Sequence, residues 1–154
     1  MKLLIQRVLE AKVMVEKKKI SSIGKGLLIL LGIERDDLRS TLESMAKKVC
    51  ELRIFEDDGG KMNLSAEDIG GSLLIVSQFT LAANCRKGRR PSFDNAADPQ
   101  KAREFYEDFC KICKKRDLDV ELGQFAAHME VELINDGPVT IMLDDSDIGN
   151  GRKT

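Results

Sequence analysis

Apolar residues alternate with polar ones in parts of this chain and recur at helical spacing in others, and the two rhythms divide it into elements. Leu3 to Val8 and Lys12 to Glu16 read as strands, the second setting Val13 and Val15 against polar neighbours. Ile20 to Ile23 suggests a third strand, and Gly26 to Ile33, almost wholly apolar, a central buried one. Asp36-Asp37 offers a helix N-cap, after which Leu38, Leu42, Met45, Ala46 and Val49 fall on one helical face. Leu52 to Phe55 predicts a short strand ending in the turn residues Asp57-Asp58-Gly59-Gly60. Ser72 to Leu81 predicts another strand, apolar through Val76 and polar from Ser77.

A second helix is signalled more fully. Asp98 suits the N-cap and Pro99 the first helical position, and Ala102, Phe105, Tyr106, Phe109, Ile112 and Cys113 form one apolar stripe. Core packing accounts for that stripe without a cofactor. His128 to Ile134 then alternates, Asn135-Asp136-Gly137-Pro138 is turn chemistry, and Val139 to Leu143 reads as the return strand of a hairpin. The polar stretch from Asp144 to Thr154 reads as a fraying tail, residues 1–144 forming the domain and 145–154 the tail. Strands first and last with two helices between predict an α/β or α+β domain on largely antiparallel pairing.

A chain of 154 residues with 42% apolar and 33% charged residues fits one folded domain. Its formal net charge is −1, so affinity for nucleic acid has to come from a local patch. The apolar run Leu27 to Leu31 is too short to span a bilayer, and Gln6-Arg7 cuts off Leu3-Leu4-Ile5 as a signal core. The expected location is the cytoplasm, with no membrane partner. The four cysteines (Cys50, Cys85, Cys110, Cys113) do not suggest a disulfide framework in a domain of this size. Cys110 and Cys113 form a C-x-x-C with no second pair to complete a zinc site, so reduced thiols are expected and neither metal nor cofactor.

Chemistry concentrates where the sixth predicted strand turns polar. Ser77, Gln78, Phe79 and Thr80 stand at the edge of a core, and the cationic run Arg86-Lys87-Gly88-Arg89-Arg90 follows closely. A serine nucleophile needs a base, and the single histidine, His128, precedes Glu130 on a predicted strand with no G-x-S-x-G elbow in the chain. A cradle of backbone N–H groups and hydroxyls fits these residues better than a covalent nucleophile. Structurally, Ser77 and Thr80 can equally bond neighbouring backbone, and the charge run can simply be solvated. The four cations would suit a phosphate-bearing partner, with Phe79 and Phe93 as stacking surfaces.

Together, Ser77-Gln78-Phe79-Thr80-Leu81 and Asn135-Asp136-Gly137-Pro138-Val139-Thr140 resemble the paired signature of the D-aminoacyl-tRNA deacylase family. Gln6-Arg7-Val8, Arg53-Ile54-Phe55, Lys61 to Leu64, Arg86 to Phe93 and Phe125-Ala126-Ala127 match its pattern too, so that the resemblance runs from Met1 to Leu143. It implies a barrel-like sheet carrying two helices, and a homodimer with active sites at the subunit interface. There Ser77 to Thr80 of one subunit would face a cis Gly137-Pro138 of the other, whose carbonyls hold the substrate's α-amino group. An L side chain would collide, a D side chain would point away, and glycine would pass. Arg7 and Asn135 would brace that loop, and Phe125, Ala127 and Met129 would wall the terminal adenosine. Arg86, Lys87, Arg89 and Arg90 would grip the acceptor stem of the aminoacylated tRNA. The tRNA 2′-OH would help activate water, although Thr80 as nucleophile stays open. A non-catalytic RNA-binding module on the same fold is the alternative. A thiol or zinc protein using Cys110 and Cys113 is the third reading.

Overall fold

The computed structural model describes residues 1–148. In chain order the strands are β1 (Lys2–Val15), β2 (Lys18–Ile23), β3 (Gly26–Gly32), β4 (Phe55–Glu56), β5 (Met62–Leu64), β6 (Ser72–Ser77), β7 (Asp119–Leu122) and β8 (Glu130–Asp144). The helices are α1 (Leu42–Glu51) and α2 (Pro99–Lys114). β3 runs parallel to β6 and β6 to β7; the remaining pairings are antiparallel, including the small separate β4–β5 sheet. The outcome is the mixed α/β domain expected, with its main sheet curled into a nearly closed barrel. No helix among the described residues is long and apolar enough to cross a membrane.

β1 organises the sheet. Where the sequence suggested two strands there is one, paired with β3 from Lys2 to Val8 and with β2 from Ala11 to Val15. β8 lies against β1 over almost its whole length. The exposed Leu9-Glu10 step marks a break in register rather than a loop. Its effect is visible in the packing. Leu3 and Ile5 enter the core beneath the helices, whereas Ala11 and Val13, also odd-numbered, enter a second core inside the curl of the sheet. Strand side chains alternate with period two, so a register shift of one residue moves the following side chains to the other face.

The hairpin expected at the C-terminal end does not form. β8 is a single strand that continues through the turn-like residues. Gln6 faces Thr140 and Val8 faces Asn135, so two steps along β1 span five along β8. Asp136 to Val139 therefore leave the ladder as a bulge, because β1 offers pairing on both sides of them. Asn135 closes the base of the bulge, its side-chain amide donating to the Arg7 carbonyl at 3.1 Å and the Val139 carbonyl at 3.0 Å.

The helices cover the first core. α2 starts as its sequence predicts, Asp98 accepting from the Gln100 and Lys101 amides at 3.1 Å with Pro99 following. Phe109 is fully buried in it, a burial worth about 2–3 kcal/mol. α1 begins later than expected, at Leu42, after a 3-10 turn, and Leu38 is exposed rather than part of its apolar stripe. Asp37 is not its cap. It is buried, accepting the Glu34 amide at 2.6 Å and the Met1 amino group. Of the predicted strand Leu52–Phe55 only Phe55 pairs, and β5 and β7 carried no clear signal of their own. Asp145–Ile148, expected to belong to the tail, form a 3-10 turn; residues 149–154 of that tail lie outside the described residues.

Around the Met1 amino group gather Asp37, Glu34 at 3.2 Å and Asp145 at 3.4 Å. Burial pulls the pKa of this amine down, but the hydrogen bond and charge of Asp37, with Asp145 and Glu34, hold it above its ordinary value. A pKa raised by folding gives stability that is complete below the unfolded value and is lost as pH rises through the folded one. Stability should therefore decline as pH rises above about 8. Asp37→Asn is expected to flatten that decline, read as urea midpoints of both chains from neutral to alkaline pH.

Candidate active site

β6 delivers Ser77 to the surface because β3, its parallel partner, ends at Gly32. Beyond Ser77 there is no strand edge left to pair with. The strand expected to reach Leu81 therefore stops, and Phe79–Ala82 coil into a 3-10 helix. Gln78 fixes the change of direction, its amide donating to the Leu31 carbonyl at 2.8 Å. Gly32 makes room: a Cβ there would lie 2.9 Å from Leu81 Cβ and 3.0 Å from the Gln78 carbonyl oxygen. The amides of Phe79 and Thr80, first in this short helix, have no intrahelical acceptor, and no side chain caps them. The Gln78 side-chain amide donates to the Thr80 hydroxyl.

This strand end opens onto a cavity of about 570 Å³, within the range that receives small ligands or a nucleoside. Ser77, Gln78 and Phe79 line it, together with Phe125, Ala127, His128 and Met129 from the β7–β8 connection. Pro99 and Ala102 bring the first turn of α2 into the wall, as no sequence periodicity announced. Phe125, Ala127 and Met129, named from the resemblance alone, thus share one largely apolar surface. Thr80 is exposed beside the lining residues rather than among them. His128 lies at the surface ahead of β8, not on it, and makes no hydrogen bond to Ser77 among the described residues.

The cationic run forms a loop closed by Asn84 and Ser92, whose backbones exchange bonds of 2.7 and 3.0 Å. Gly88 turns the loop with a φ of 69°. Arg86, Lys87, Arg89 and Arg90 are exposed, and no ion pair engages them among the described residues. Phe93, just past the closure, packs edge-on against Phe79 with ring centroids 5.1 Å apart. Loop and pocket rim are thereby joined through two aromatic rings.

Gly137 and Pro138 sit on the β8 bulge, exposed, with a cis peptide bond between them. A Cβ on Gly137 would fall 2.2 Å from the Val139 amide nitrogen, so no other residue fits without moving the backbone. Arg7, buried to 6% exposure, donates to the Asp136 carbonyl at 2.9 Å and the Ile54 carbonyl at 2.6 Å, and its guanidinium lies 3.3 Å from the Asp136 carboxylate. Neither Gly137 nor Pro138 lines the pocket of its own chain. The two signature motifs of the chain therefore do not share this pocket.

The cysteines belong elsewhere. Cys50, Cys110 and Cys113 are buried between α1 and α2 and free, and Cys85 is exposed and free. Burial pushes the Cys110 thiol up to about 12, and a hydrogen bond with Cys50, then burial, raises Cys113. Thiols so protonated are poor nucleophiles and ligands.

Fold and site define a protein with a nucleoside-sized pocket, main-chain donors at its rim, and a cationic loop joined to that rim through Phe93 and Phe79. The family model described as D-Tyr-tRNA(Tyr) deacylase matches residues 4–144, and the chain belongs to that family. Among its relatives, the D-aminoacyl-tRNA deacylase of Clostridioides difficile is 57% identical over 146 residues, covering 95% of this chain and 98% of the relative. That of Thermosipho africanus is 55% identical over 144 residues, covering 94% and 97%. A solved structure named c-Myc DNA Unwinding Element Binding Protein superposes with a TM-score of 0.89 at 42% identity, covering 94% of this chain and 98% of its own. A probable eukaryotic D-amino acid tRNA deacylase shares the fold, with a TM-score of 0.80 at 17% identity over 92% and 97% of the two chains.

Arg7→Met keeps most of the side-chain volume but leaves the Ile54 and Asp136 carbonyls without their donor. It should cost about 3 kcal/mol, measured by urea unfolding at neutral pH.

Proposed function

We propose that this protein hydrolyses the ester linking a D-amino acid to the terminal adenosine of tRNA, releasing free amino acid and tRNA. The observation that carries the reading is the family's Ser77–Thr80 motif, with its uncapped Phe79 and Thr80 amides, standing at the mouth of a nucleoside-sized pocket. The adenosine occupies the surface formed by Phe125, Ala127 and Met129. Water adds to the ester carbonyl, and the developing oxyanion accepts from the Phe79 and Thr80 amides. Among the described residues no side chain near Ser77 is arranged as a nucleophile with its base, so the neighbouring ribose 2′-OH orients or activates the water.

Chirality is read by a second copy of the chain. The Gly137-Pro138 bulge is exposed and lines no part of its own pocket, yet is braced by Arg7 and Asn135, which supports a homodimer in which each bulge enters the partner's site. Exposed apolar Leu9 and Ile134, near the same edge, are consistent with such an interface. The loop's carbonyls hold the α-amino group, so an L side chain meets main chain and a D side chain does not. Glycine has no Cβ to collide and is cleaved as well. Arg86, Lys87, Arg89 and Arg90 hold stem phosphates, a contact that does not depend on base sequence.

A non-catalytic nucleic-acid-binding module is the second reading, favoured by the DNA-binding name of the neighbour at 42% identity. Deacylation of matched D-tyrosyl-, L-tyrosyl- and glycyl-tRNA separates the two. Loss of the D-tyrosyl and glycyl esters with the L-tyrosyl ester spared is expected, and turnover of none with tRNA still bound would leave the binding module. Thr80→Ala should keep most activity if its amide, not its hydroxyl, acts. Gly137→Ala should lower kcat/KM about 100-fold, because the clash with Val139 displaces the loop.

A further inference from the structure

A further cation, on α2, stacks against one of the residues that line the pocket. The Arg103 guanidinium carbon lies 4.6 Å from the centroid of Phe125, a ring that lines the cavity. That ring also meets Tyr106, with centroids 5.9 Å apart, and the Tyr106 hydroxyl donates to the Ile75 carbonyl at 2.9 Å. Contacts thus run from β6, the strand ending in Ser77, through Tyr106 and Phe125 to Arg103, and they hold the guanidinium in register with the site. A guanidinium stacked on an aromatic face keeps its N–H edge available to acceptors.

Among the described residues that edge makes no hydrogen bond and one long ion pair. Its nearest carboxylate, Glu107, is 3.9 Å away, beyond hydrogen-bond range. Other arginines on this side of the molecule are committed: Arg116 pairs with Glu51 and Glu67, and Arg39 with Glu104 and Asp108. Arg39 also stacks, 5.1 Å from the Phe105 centroid, but with its donors used. Arg103 is half exposed and pre-positioned beside a wall of the nucleoside pocket.

We infer that Arg103 binds a phosphate of the single-stranded end of the substrate, next to the nucleoside seated against Phe125. The inference rests on the deacylase reading and adds a contact separate from the cationic loop. A planar fork of N–H donors matches two phosphate oxygens, whereas a nucleoside ester without phosphate gives it nothing to bind.

Two D-tyrosyl esters test it, one of adenosine and one of the trinucleotide cytidylyl-cytidylyl-adenosine. Arg103→Gln should lower kcat/KM for the trinucleotide ester about tenfold and leave the adenosine ester unchanged. Arg103→Lys, which keeps the charge, should recover part of the loss, and the salt dependence of trinucleotide binding should weaken in Arg103→Gln. An equal loss on both esters would overturn the inference and assign Arg103 to holding Phe125 in place. No loss on either would overturn it too. A wild type inactive on both esters and on D-tyrosyl-tRNA would instead overturn the deacylase reading, and this inference with it.

Discussion

The ladder between β1 and β8, and the residues it cannot absorb, set most of what is unusual in this fold. Two steps on β1 meet five on β8, and the surplus leaves the sheet as Asp136 to Val139. The register change also reverses the buried face. Val139, Ile141 and Leu143 pack under the helices, whereas Met129, Val131 and Leu133, of the same parity, pack inside the curl. Two register shifts along this ladder thus turn the later residues of both strands to the other apolar face, and the larger one carries Gly137-Pro138 to the surface while Val131 lies in the pocket wall. Arg7 makes the bulge rigid by tying Asp136 to Ile54 across the sheet. A buried guanidinium is tolerable because its donors meet two carbonyls and a carboxylate.

A second constraint is the parallel trio β3, β6 and β7. Their C-terminal ends lie together, and Leu31, Ser77 and the residues following β7 all reach the cavity there. Parallel strands bring like ends to one side, and ligands in such sheets bind outside those carboxyl ends. The crossovers that connect them carry α1 and α2, so α2 arrives with Pro99 and Ala102 already at the cavity.

How much of this was legible depends on whether a residue's role is set by neighbours in sequence or in space. The α2 cap, its apolar stripe and the buried runs of β3 and β6 follow from periodicity and cap chemistry, both local. The C-terminal hairpin was misread for a physical reason: Asn-Asp-Gly-Pro suits a reversal and a bulge equally, and only an intact β1 opposite decides between them. Asp37 was misread similarly, since a carboxylate before a helix looks like a cap until a buried amine claims it. That Ser77, Gln78 and Phe79 stand at the cavity was legible because a strand that turns polar marks the edge of a core. Pro99, Ala102 and Arg103 were not, because helix spacing says nothing about which end meets a cavity. Phe125, Ala127 and Met129 were named only through the family resemblance, and they do lie together.

In the proposed dimer the polar rim of the site is largely main chain: two uncapped amides on one motif and the carbonyls of a braced bulge on the other. Main-chain groups cannot be retuned by exchanging a side chain; they can only be moved. The positions that matter most are then those that let backbone approach backbone. Gly32 does so beneath the 3-10 turn, where a Cβ would press on Leu81 and the Gln78 carbonyl, and Gly137 does so within the bulge. Side chains act one step back, as Arg7 and Asn135 do for the bulge and Gln78 does for Thr80. Discrimination by fixed main chain needs no favourable contact with the substrate's side chain. On the proposed reading, such a site is strict about configuration while indifferent to which amino acid it receives.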